Sequence, residues 1–598
     1  MTEKKVSFWR IFWPSVVAII ITSTLGWIFF FVIIGGIFNI EPKPYSIDSK
    51  SILHLTLDGQ IGEKSAADLN LSSLNMDKTI GLSEILYGIE KAKEDDKVKG
   101  LFIELKNLSC GYATAREIRN AIKDFNQSGK FSVAYNKGEV ISQKKYYISS
   151  AAKEVYGFPT SAMEFMGLGS EMMFFKGTLD KLDVEMQVIR GKNNDFKSAV
   201  EPFFRTNMSD SSRLQVTKYM HSIWSTILTD ISKDRKVSPS VLNDIAETVK
   251  VRRAEDAVAL KLLDGVHYED EIHVLLAEKL GTKDDEELPL FAIEKYARKK
   301  FKTSQVLIEN DEPTIAVILA EGEVSIDGDG LSSKEICKLF QEVRKNKSIK
   351  TVVFRINSPG GSALASEEIW REVELTTKKR KVIVSMGDVA ASGGYYIATP
   401  AYKIFAEPST ITGSIGVFGV IPYTGKMLEN KLGLSFDRTS TNKHSVMTTN
   451  RKLTPEEIAT IQEEVDQIYT TFLTRVANGR GMKIADVNKI ARGRVWTGTD
   501  AKKIGLVDEL GGLKEAIAFA AKEANVDTKK VLYYPLQKEN KFAAILEILE
   551  EEEEANANVK IKNSNALPEE LTKYYQQLKR LEQMKGIQMR MPFDVELF

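Results

Sequence analysis

The sequence has few cysteines, few histidines and no excess of either charge. Its 598 residues include two cysteines, Cys110 and Cys337, and five histidines. Two cysteines are too few for a disulfide scaffold and for most structural zinc sites. Lys plus Arg and Asp plus Glu each number 82, so the formal net charge is zero. The sequence therefore predicts no nucleic-acid partner, and its length predicts two or more domains.

One stretch near the N-terminus lacks charge altogether. Residues 16–38, VVAIIITSTLGWIFFFVIIGGIF, are long enough to span a hydrocarbon core of about 30 Å as a helix. Lys4, Lys5 and Arg10 precede this stretch, which predicts that residues 1–15 stay in the cytoplasm and that the rest crosses the membrane. A cleaved signal peptide would have a shorter apolar region and a small-residue cleavage site. We therefore expect a retained membrane anchor.

The rest of the chain contains an internal repeat. Three segments recur in the same order: residues 83–107 match 333–357, residues 144–167 match 393–416, and residues 255–266 match 499–510. Each copy alternates amphipathic helices with buried strands, which predicts an α/β domain around a mostly parallel sheet. The predicted copies cover residues 50–300 and 313–537. The tail, 541–598, is predicted to be partly helical, and no chemistry is assigned to it.

The two copies differ at a serine. In copy two, Ser392 lies in GDVAASGGYYIATP, between two alanines and two glycines, and this stretch contains no histidine. Copy one has Gln143 at the matching position, and it has Lys144 and Lys145 where copy two has glycines. Small neighbours allow a peptide backbone to approach the hydroxyl closely. Ser392 is therefore a candidate nucleophile.

A glycine motif also occurs in copy two alone. INSPGGS, residues 356–362, follows the apolar strand KTVVFRI and precedes a helix predicted to begin near Ala363, whereas copy one has KNLSCGY. Backbone N–H groups at such a junction are suited to stabilising a developing oxyanion. The alternative is that Pro359, Gly360 and Gly361 form only a tight turn.

Copy one supplies a candidate base. Lys197 lies in GKNNDFKSAVEPFF, and the alignment of the copies places His444 or Ser445 opposite it. Copy two thus has the serine without this lysine, and copy one has the lysine without the serine. This complementarity predicts one composite site built from both copies. His444 is an alternative base, because histidine is the commoner general base.

These motifs closely resemble signal peptide peptidase A in its long, duplicated bacterial form. The segments that carry the resemblance are FKSAVEPFF, NSPGGSALASEEI, DVAASGGYYIA and TGSIGVFG, and the similarity extends over nearly the whole chain. The resemblance implies tandem α/β domains of the Clp protease/crotonase type after one transmembrane helix, assembled as a homotetramer. It implies a membrane-anchored serine endopeptidase that cleaves hydrophobic peptides, namely remnant signal peptides.

The resemblance also implies roles for individual residues. By position, Ser392 is the nucleophile, Lys197 the general base, Ser414 the residue that orients the lysine, and the backbones of Gly360 or Gly361 and of Gly393 the oxyanion donors. No metal-ligand cluster or phosphate loop accompanies the motifs, so no cofactor is expected. The implied location is the bacterial inner membrane, with the N-terminus cytoplasmic and the catalytic portion periplasmic.

Two other functions stay open on the sequence. A crotonase-like acyl-CoA enzyme would share the oxyanion donors, use carboxylates and need no nucleophile, so that Ser392 would only pack. A non-catalytic membrane scaffold would retain the fold alone. The glycines and serine kept in a single copy argue against a scaffold, which needs neither.

Overall fold

The computed structural model describes residues 9, 12–17, 22–24, 26, 50–70, 75–191, 193–282, 288–297, 312–328, 330–535 and 587–591. Most of the predicted anchor, residues 16–38, lies outside these residues, as does the predicted helix of the tail. Within the described residues, no helix is long and apolar enough to cross a membrane. The elements on which the site depends belong to one compact unit formed by Asp48–Asp68, Met76–Leu536 and Leu567–Phe598.

The first repeat contains eleven strands within the described residues. They are β1 (Ser51–Gln60), β2 (Ala66–Asn70), β3 (Asn75–Thr79), β4 (Val98–Ser109), β5 (Phe131–Asn136), β6 (Val140–Ile141), β7 (Glu154–Gly157), β8 (Ala162–Met163), β9 (Glu185–Arg190), β10 (Gly265–Val266) and β11 (Leu290–Ala292). Its α-helices are Leu82–Glu94, Tyr112–Asn126, Gln143–Ser149, Lys176–Lys181, Glu201–Phe204, Asp210–Arg235, Pro239–Glu247, Ala254–Ala259 and Glu269–Leu280.

In the part of the chain that the structure describes, the second repeat is followed by a strand of the tail. Its strands are β12 (Thr314–Glu321), β13 (Val324–Ser325), β14 (Leu331–Ser332), β15 (Ile349–Ser358), β16 (Gly360–Ser362), β17 (Val382–Ala391), β18 (Lys403–Ala406), β19 (Ile411–Gly413), β20 (Phe418–Tyr423), β21 (Val495–Thr497), β22 (Glu509–Leu510) and β23 (Val531–Tyr534); the tail strand is β24 (Ile587–Arg590). The helices are Ser333–Lys345, Ala363–Thr377, Gly393–Ala398, Gly425–Leu432, Pro455–Arg480, Ile484–Ile490, Gly498–Lys503 and Leu513–Ala524.

The two repeats have the same sheet topology. The first sheet has the order β10-β7-β5-β4-β1-β11, and every pair in it is parallel. The second contains the matching order β22-β18-β17-β15-β12-β23, also parallel, with β19 and β21 added beside β17. The predicted duplication of an α/β domain is thus visible strand by strand.

The strands of the second sheet are apolar at successive positions because both faces of the sheet are buried. In β12, Ala316 and Ile318 face one core cluster, whereas Ile315 and Val317 face the other. Strands covered by helices on both faces are apolar at successive positions instead of at alternate ones. The helix Ser333–Lys345 is amphipathic and buries one stripe on this sheet.

A third sheet joins the repeats. Its order is β14-β13-β16-β24-β20-β9, so that β9 of the first repeat pairs antiparallel with β20 of the second. The pairing runs from Phe418 opposite Arg190 to Tyr423 opposite Glu185. Because Lys197 lies seven residues after β9, this pairing brings the lysine segment to the second repeat.

Buried ion pairs also connect the repeats. Arg355 of β15 is fully buried, and it donates to Glu63 (2.8 Å) and Glu117 (2.6 Å) of the first repeat. Asp388 accepts hydrogen bonds from the backbone of Ala113 (2.8 Å) and Thr114 (2.9 Å), at the start of a first-repeat helix. Because buried charges must be paired, these contacts help to hold the two repeats against each other.

Candidate active site

Ser392 lies where β17 ends and the helix Gly393–Ala398 begins. Its backbone has φ 54° and ψ −115°, a conformation that non-glycine residues rarely adopt. The conformation is fixed by packing and by a hydrogen bond from the Ser392 N–H to the carbonyl of Gly413 (2.8 Å). Strained backbone of this kind is concentrated at functional sites. The strand–helix junction turns the side chain into the contact with Lys197 described below.

The glycines around Ser392 are required because backbones meet there. A Cβ atom on Gly360 would lie 2.7 Å from the backbone nitrogen of Gly393, and one on Gly394 would lie 2.6 Å from the carbonyl oxygen of Ser358. Gly360 also has φ 95°, which disfavours any side chain. Gly360 and Gly361 belong to a short strand, β16, and not to a simple turn, and Ser362 caps the helix Ala363–Thr377.

The structure brings Lys197 of the first repeat into contact with two serines of the second. Its Nζ atom lies 2.8 Å from Ser392 Oγ, 2.9 Å from Ser414 Oγ and 2.9 Å from the Ser414 carbonyl oxygen. All three residues have no exposed surface. The two residues that the sequence splits between the copies, Lys197 and Ser392, therefore form a single direct contact, and Ser414 completes it.

Burial determines the electrostatics of this contact. The absence of water around Nζ disfavours its charged form and holds the pKa of Lys197 well below the usual value for lysine. The neighbours of Nζ are hydroxyls and a carbonyl, which carry no charge to oppose this effect. The amine is thus held toward its neutral form, which has a lone pair that accepts a proton.

Residues on both sides fix the backbone of the lysine segment. The N–H of Phe196 donates to the carbonyl of Arg492 (3.0 Å), and a Cβ atom on Gly493 would lie 2.5 Å from the Cβ of Lys197. Gln215 donates to the carbonyl of Phe196 (3.0 Å) and accepts from the N–H of Val495 (3.2 Å). The backbone of the lysine segment is therefore held by a main-chain hydrogen bond to the second repeat and by the side-chain amide of Gln215.

Three residues of this site were not predicted from the sequence: Gly493, Gln215 and Asn194, of which Asn194 donates to the carbonyl of Val417 (2.6 Å). A buried amide in a mostly apolar helix face is the signal that could have indicated Gln215, which is 1% exposed. Gly493 carries no comparable signal in a single sequence.

His444, the alternative base, is placed differently. Its side chain is 46% exposed, and its Nδ1 atom lies 3.4 Å from a carboxylate oxygen of Glu457. The same carboxylate binds Arg451 (2.6 Å), whose hydrogen bond is the main cause that lowers the pKa of Glu457 to about 2. The structure thus shows His444 in a surface ion cluster, whereas Lys197 is the residue that contacts the hydroxyl of Ser392.

The sequence profile described as peptidase family S49 matches twice, at residues 124–283 and 374–527, which is one match in each repeat. The chain belongs to peptidase family S49. The chloroplastic serine protease SPPA of Arabidopsis thaliana is 33% identical over 80% of this chain and 70% of its own length.

The similarity to two bacterial relatives extends over more of the relative's own length. Protease 4 of Salmonella typhi is 33% identical over 81% of this chain and 80% of its own, and Protease 4 of Haemophilus influenzae is 32% identical over 84% and 83%. Among solved structures, a ClpP1 mutant from Listeria monocytogenes shares 17% identity and covers 36% of this chain and 98% of its own, at a TM-score of 0.25. The S49 membership makes this chain a serine protease, which removes the acyl-CoA enzyme and the scaffold from consideration.

Proposed function

We propose that this S49 protease is a membrane-anchored endopeptidase that cleaves hydrophobic peptides, namely remnant signal peptides, with Ser392 as nucleophile and Lys197 as general base. The observation that carries the proposal is the 2.8 Å contact between Lys197 Nζ and Ser392 Oγ, which is wholly buried and joins the two repeats. Nucleophile and base within hydrogen-bonding distance, with the base held by a further group, is the arrangement that acyl-enzyme chemistry requires.

The hydrogen bonds around Nζ fit the role of a base. A neutral lysine amine has two N–H groups and one lone pair, and the hydroxyl and carbonyl of Ser414 accept the two N–H groups at 2.9 Å. The lone pair is then left for the hydroxyl of Ser392. As Ser392 Oγ attacks a peptide carbonyl, its proton passes to Nζ, which gives it to the departing amine. Water then hydrolyses the acyl ester.

Oxyanion stabilisation is assigned to backbone N–H groups of the glycines. Gly393 directly follows the nucleophile, the bare backbone of Gly360 lies against it, and Gly361 is the next residue along the chain. Preorganised N–H donors of this kind contribute about 10²–10³-fold to the rate of acyl transfer per donor. Small residues around Ser392 keep water away and fit apolar substrate side chains, in line with hydrophobic peptides as substrates.

Membrane anchoring through residues 16–38 and a homotetramer belong to the same proposal. The charge flanks of the apolar stretch support a cytoplasmic N-terminus and an extracytoplasmic protease. Leu432, Leu434 and Phe436 are 63%, 48% and 37% exposed, and an exposed apolar segment of this kind fits a contact between copies. Protease added to spheroplasts should digest the large domain and spare an N-terminal tag, and light scattering of the detergent-solubilised chain should give four copies.

The catalytic assignment is tested with three alanine variants and a hydrophobic peptide whose products are identified by mass spectrometry. Ser392→Ala and Lys197→Ala should each abolish cleavage, and His444→Ala, the matched control, should leave most of it. Each repeat expressed alone should be inactive, since the contact needs both. Cleavage by Lys197→Ala together with loss of cleavage in His444→Ala would return the histidine as the base.

A further inference from the structure

Asp388 connects the strand of the proposed nucleophile to the first repeat. Its carboxylate lies four residues before that serine and binds the N-terminus of the first-repeat helix Tyr112–Asn126. It accepts hydrogen bonds from the N–H groups of Gly111 (3.2 Å), Ala113 (2.8 Å) and Thr114 (2.9 Å), and from the Thr114 hydroxyl (2.6 Å). Gly111, at the N-cap, has no side chain with which to cap its own helix. The second repeat therefore supplies the cap of this helix.

The helix start that binds Asp388 is the first repeat's counterpart of the glycine motif. In the alignment of the copies, Gly111 matches Gly361, so that KNLSCGY lies where the second repeat has INSPGGS. In the second repeat, backbone N–H groups of this motif are assigned to the oxyanion. In the first repeat, N–H groups at the matching junction bind the carboxylate of Asp388. The first copy of the motif thus holds a side chain of the catalytic strand.

Asp388 lies on an irregular part of β17. The ladder between β15 and β17 changes register between Met386 and Ala390, so that three residues of β17 lie opposite Asn357 alone. Such a bulge leaves backbone groups without their ladder partners. The Asn357 side chain accepts a hydrogen bond from the N–H of Val389 (3.1 Å), and the first repeat binds Asp388. Side-chain hydrogen bonds therefore fix this part of the strand.

The strand leads from this bulge directly to the nucleophile. Ala391, its last residue, pairs with Gly413, and the Gly413 carbonyl accepts the N–H of Ser392 (2.8 Å). Ser392 has φ 54°, a conformation that the surrounding structure has to impose. The next residue after Gly413 is Ser414, whose hydroxyl binds the amine of Lys197 (2.9 Å). Because the connection is short, a shift of the bulge moves the serine hydroxyl relative to the amine.

We propose that Asp388 is a positioning residue for the protease reaction, and that the first repeat sets the place of Ser392 relative to Lys197 through its carboxylate. This proposal rests on the proposed function of that pair. A misplacement of about 1 Å in a catalytic group costs roughly 10²-fold in rate, so Asp388→Ala should lower kcat about 10- to 100-fold and leave KM within about twofold. The loss falls on kcat because the position of the hydroxyl matters for its attack on the peptide.

Gly111→Ala perturbs the same contact from the first repeat. Gly111 has φ −79°, which any residue adopts, so alanine there introduces no backbone strain. Its Cβ would lie 2.1 Å from the Cγ of Asp388, so the carboxylate has to move. Gly111→Ala should therefore lower kcat as Asp388→Ala does. In the double variant the two losses should not add, because the clash requires the carboxylate.

Two further variants separate hydrogen bonding from charge and from general surface effects. Asp388→Asn keeps an oxygen that accepts from Ala113 and Thr114, and it should retain kcat within about threefold. Glu139→Ala is the matched control, because Glu139 is the first repeat's counterpart of Asp388 and its side chain is exposed. This control should keep the wild-type kcat.

The assays are cleavage of a fluorogenic hydrophobic peptide, labelling by a serine-directed fluorophosphonate, and thermal unfolding. In Asp388→Ala the rate of labelling should fall together with kcat, since both report the reactivity of Ser392. If Asp388 served only the stability of the fold, Asp388→Ala would lower the unfolding temperature while the folded enzyme kept its kcat and its labelling rate. That result would overturn the positioning role.

The remaining outcomes distinguish this inference from the proposed function. A wild type that does not cleave the peptide, or Ser392→Ala cleaving at the wild-type rate, overturns both. When cleavage depends on Ser392, a loss in KM alone, additive losses in the double variant, or an Asp388→Asn enzyme as slow as Asp388→Ala overturns the positioning role only. If Asp388→Ala does not fold, Gly111→Ala is the test, and a wild-type kcat in that variant overturns the role.

Discussion

Substitution of Gly493 by alanine tests whether the backbone position of Lys197 controls activity. The new Cβ would lie 2.5 Å from the Cβ of Lys197, about 0.9 Å closer than the 3.4 Å at which ordinary contact begins. Either the lysine segment or the Gly493 loop must move by nearly that distance. A misplacement of about 1 Å in a catalytic group costs roughly 10²-fold in rate. We therefore expect kcat/KM to fall about 10²-fold for Gly493→Ala.

Gly481→Ala is the matched control for backbone strain. Gly481 has φ 62° and Gly493 has φ 77°, so an alanine at either position costs about 1–2 kcal/mol of folding free energy. A Cβ on Gly481 would meet no atom within 4 Å. Both variants should lose thermal stability, but Gly481→Ala should keep its kcat/KM within about twofold. Hydrolysis of a fluorogenic hydrophobic peptide and thermal unfolding measure the two effects. A Gly493→Ala enzyme that is destabilised like the control yet fully active would refute the reasoning.

Three other predictions follow from the same contacts. Because burial lowers the pKa of Lys197, kcat/KM should rise with pH and level off, and the midpoint of the rise should lie well below the usual lysine pKa of about 10.4. Between the lowered pKa of the folded chain and the usual pKa of the unfolded chain, the unfolded chain binds more protons, so the free energy of unfolding should also rise with pH. Lys197→Met should remove both trends. Ser414→Ala removes one hydrogen bond to the amine, and a loss of about 1.4 kcal/mol lowers kcat about tenfold with KM little changed; an unchanged kcat contradicts an orienting role. Arg355→Ala leaves Glu117 and its partner carboxylate buried without their cation and should cost about 3–5 kcal/mol in denaturant unfolding, whereas a loss below about 1 kcal/mol would show that the ion pairs do not hold the repeats together.

Local sequence was sufficient to find both members of the contact between Lys197 and Ser392. Ser392 is surrounded by residues without bulky side chains, and Lys197 was indicated because each copy lacks what the other has. This signal exists because a site built from both repeats needs the serine in only one copy and the lysine in only the other. Ser414 rested on resemblance alone, and the structure places its hydroxyl and carbonyl on the amine.

Other features had no local signal. Gln215 and Gly493 support the lysine through backbone contacts between distant segments, and the tail strand β24 comes from a stretch to which the sequence assigned no chemistry. Arg355 likewise looks like an ordinary charge at the end of an apolar strand. Its two carboxylate partners lie more than 200 residues away along the chain.

By itself, the sequence determined the repeated α/β pattern and the residue types available at the site. The spacing of apolar residues, the positions of the glycines and the occurrence of the serine and the lysine in different copies can all be read from short segments. The tertiary structure alone decided that Lys197 and Ser392, 195 residues apart, share a hydrogen bond. It also decided that the amine is fully enclosed and that the tail strand β24 pairs with β16. Dehydration of an amine and pairing of remote strands depend on what surrounds each atom in space, and one-dimensional spacing does not contain that information.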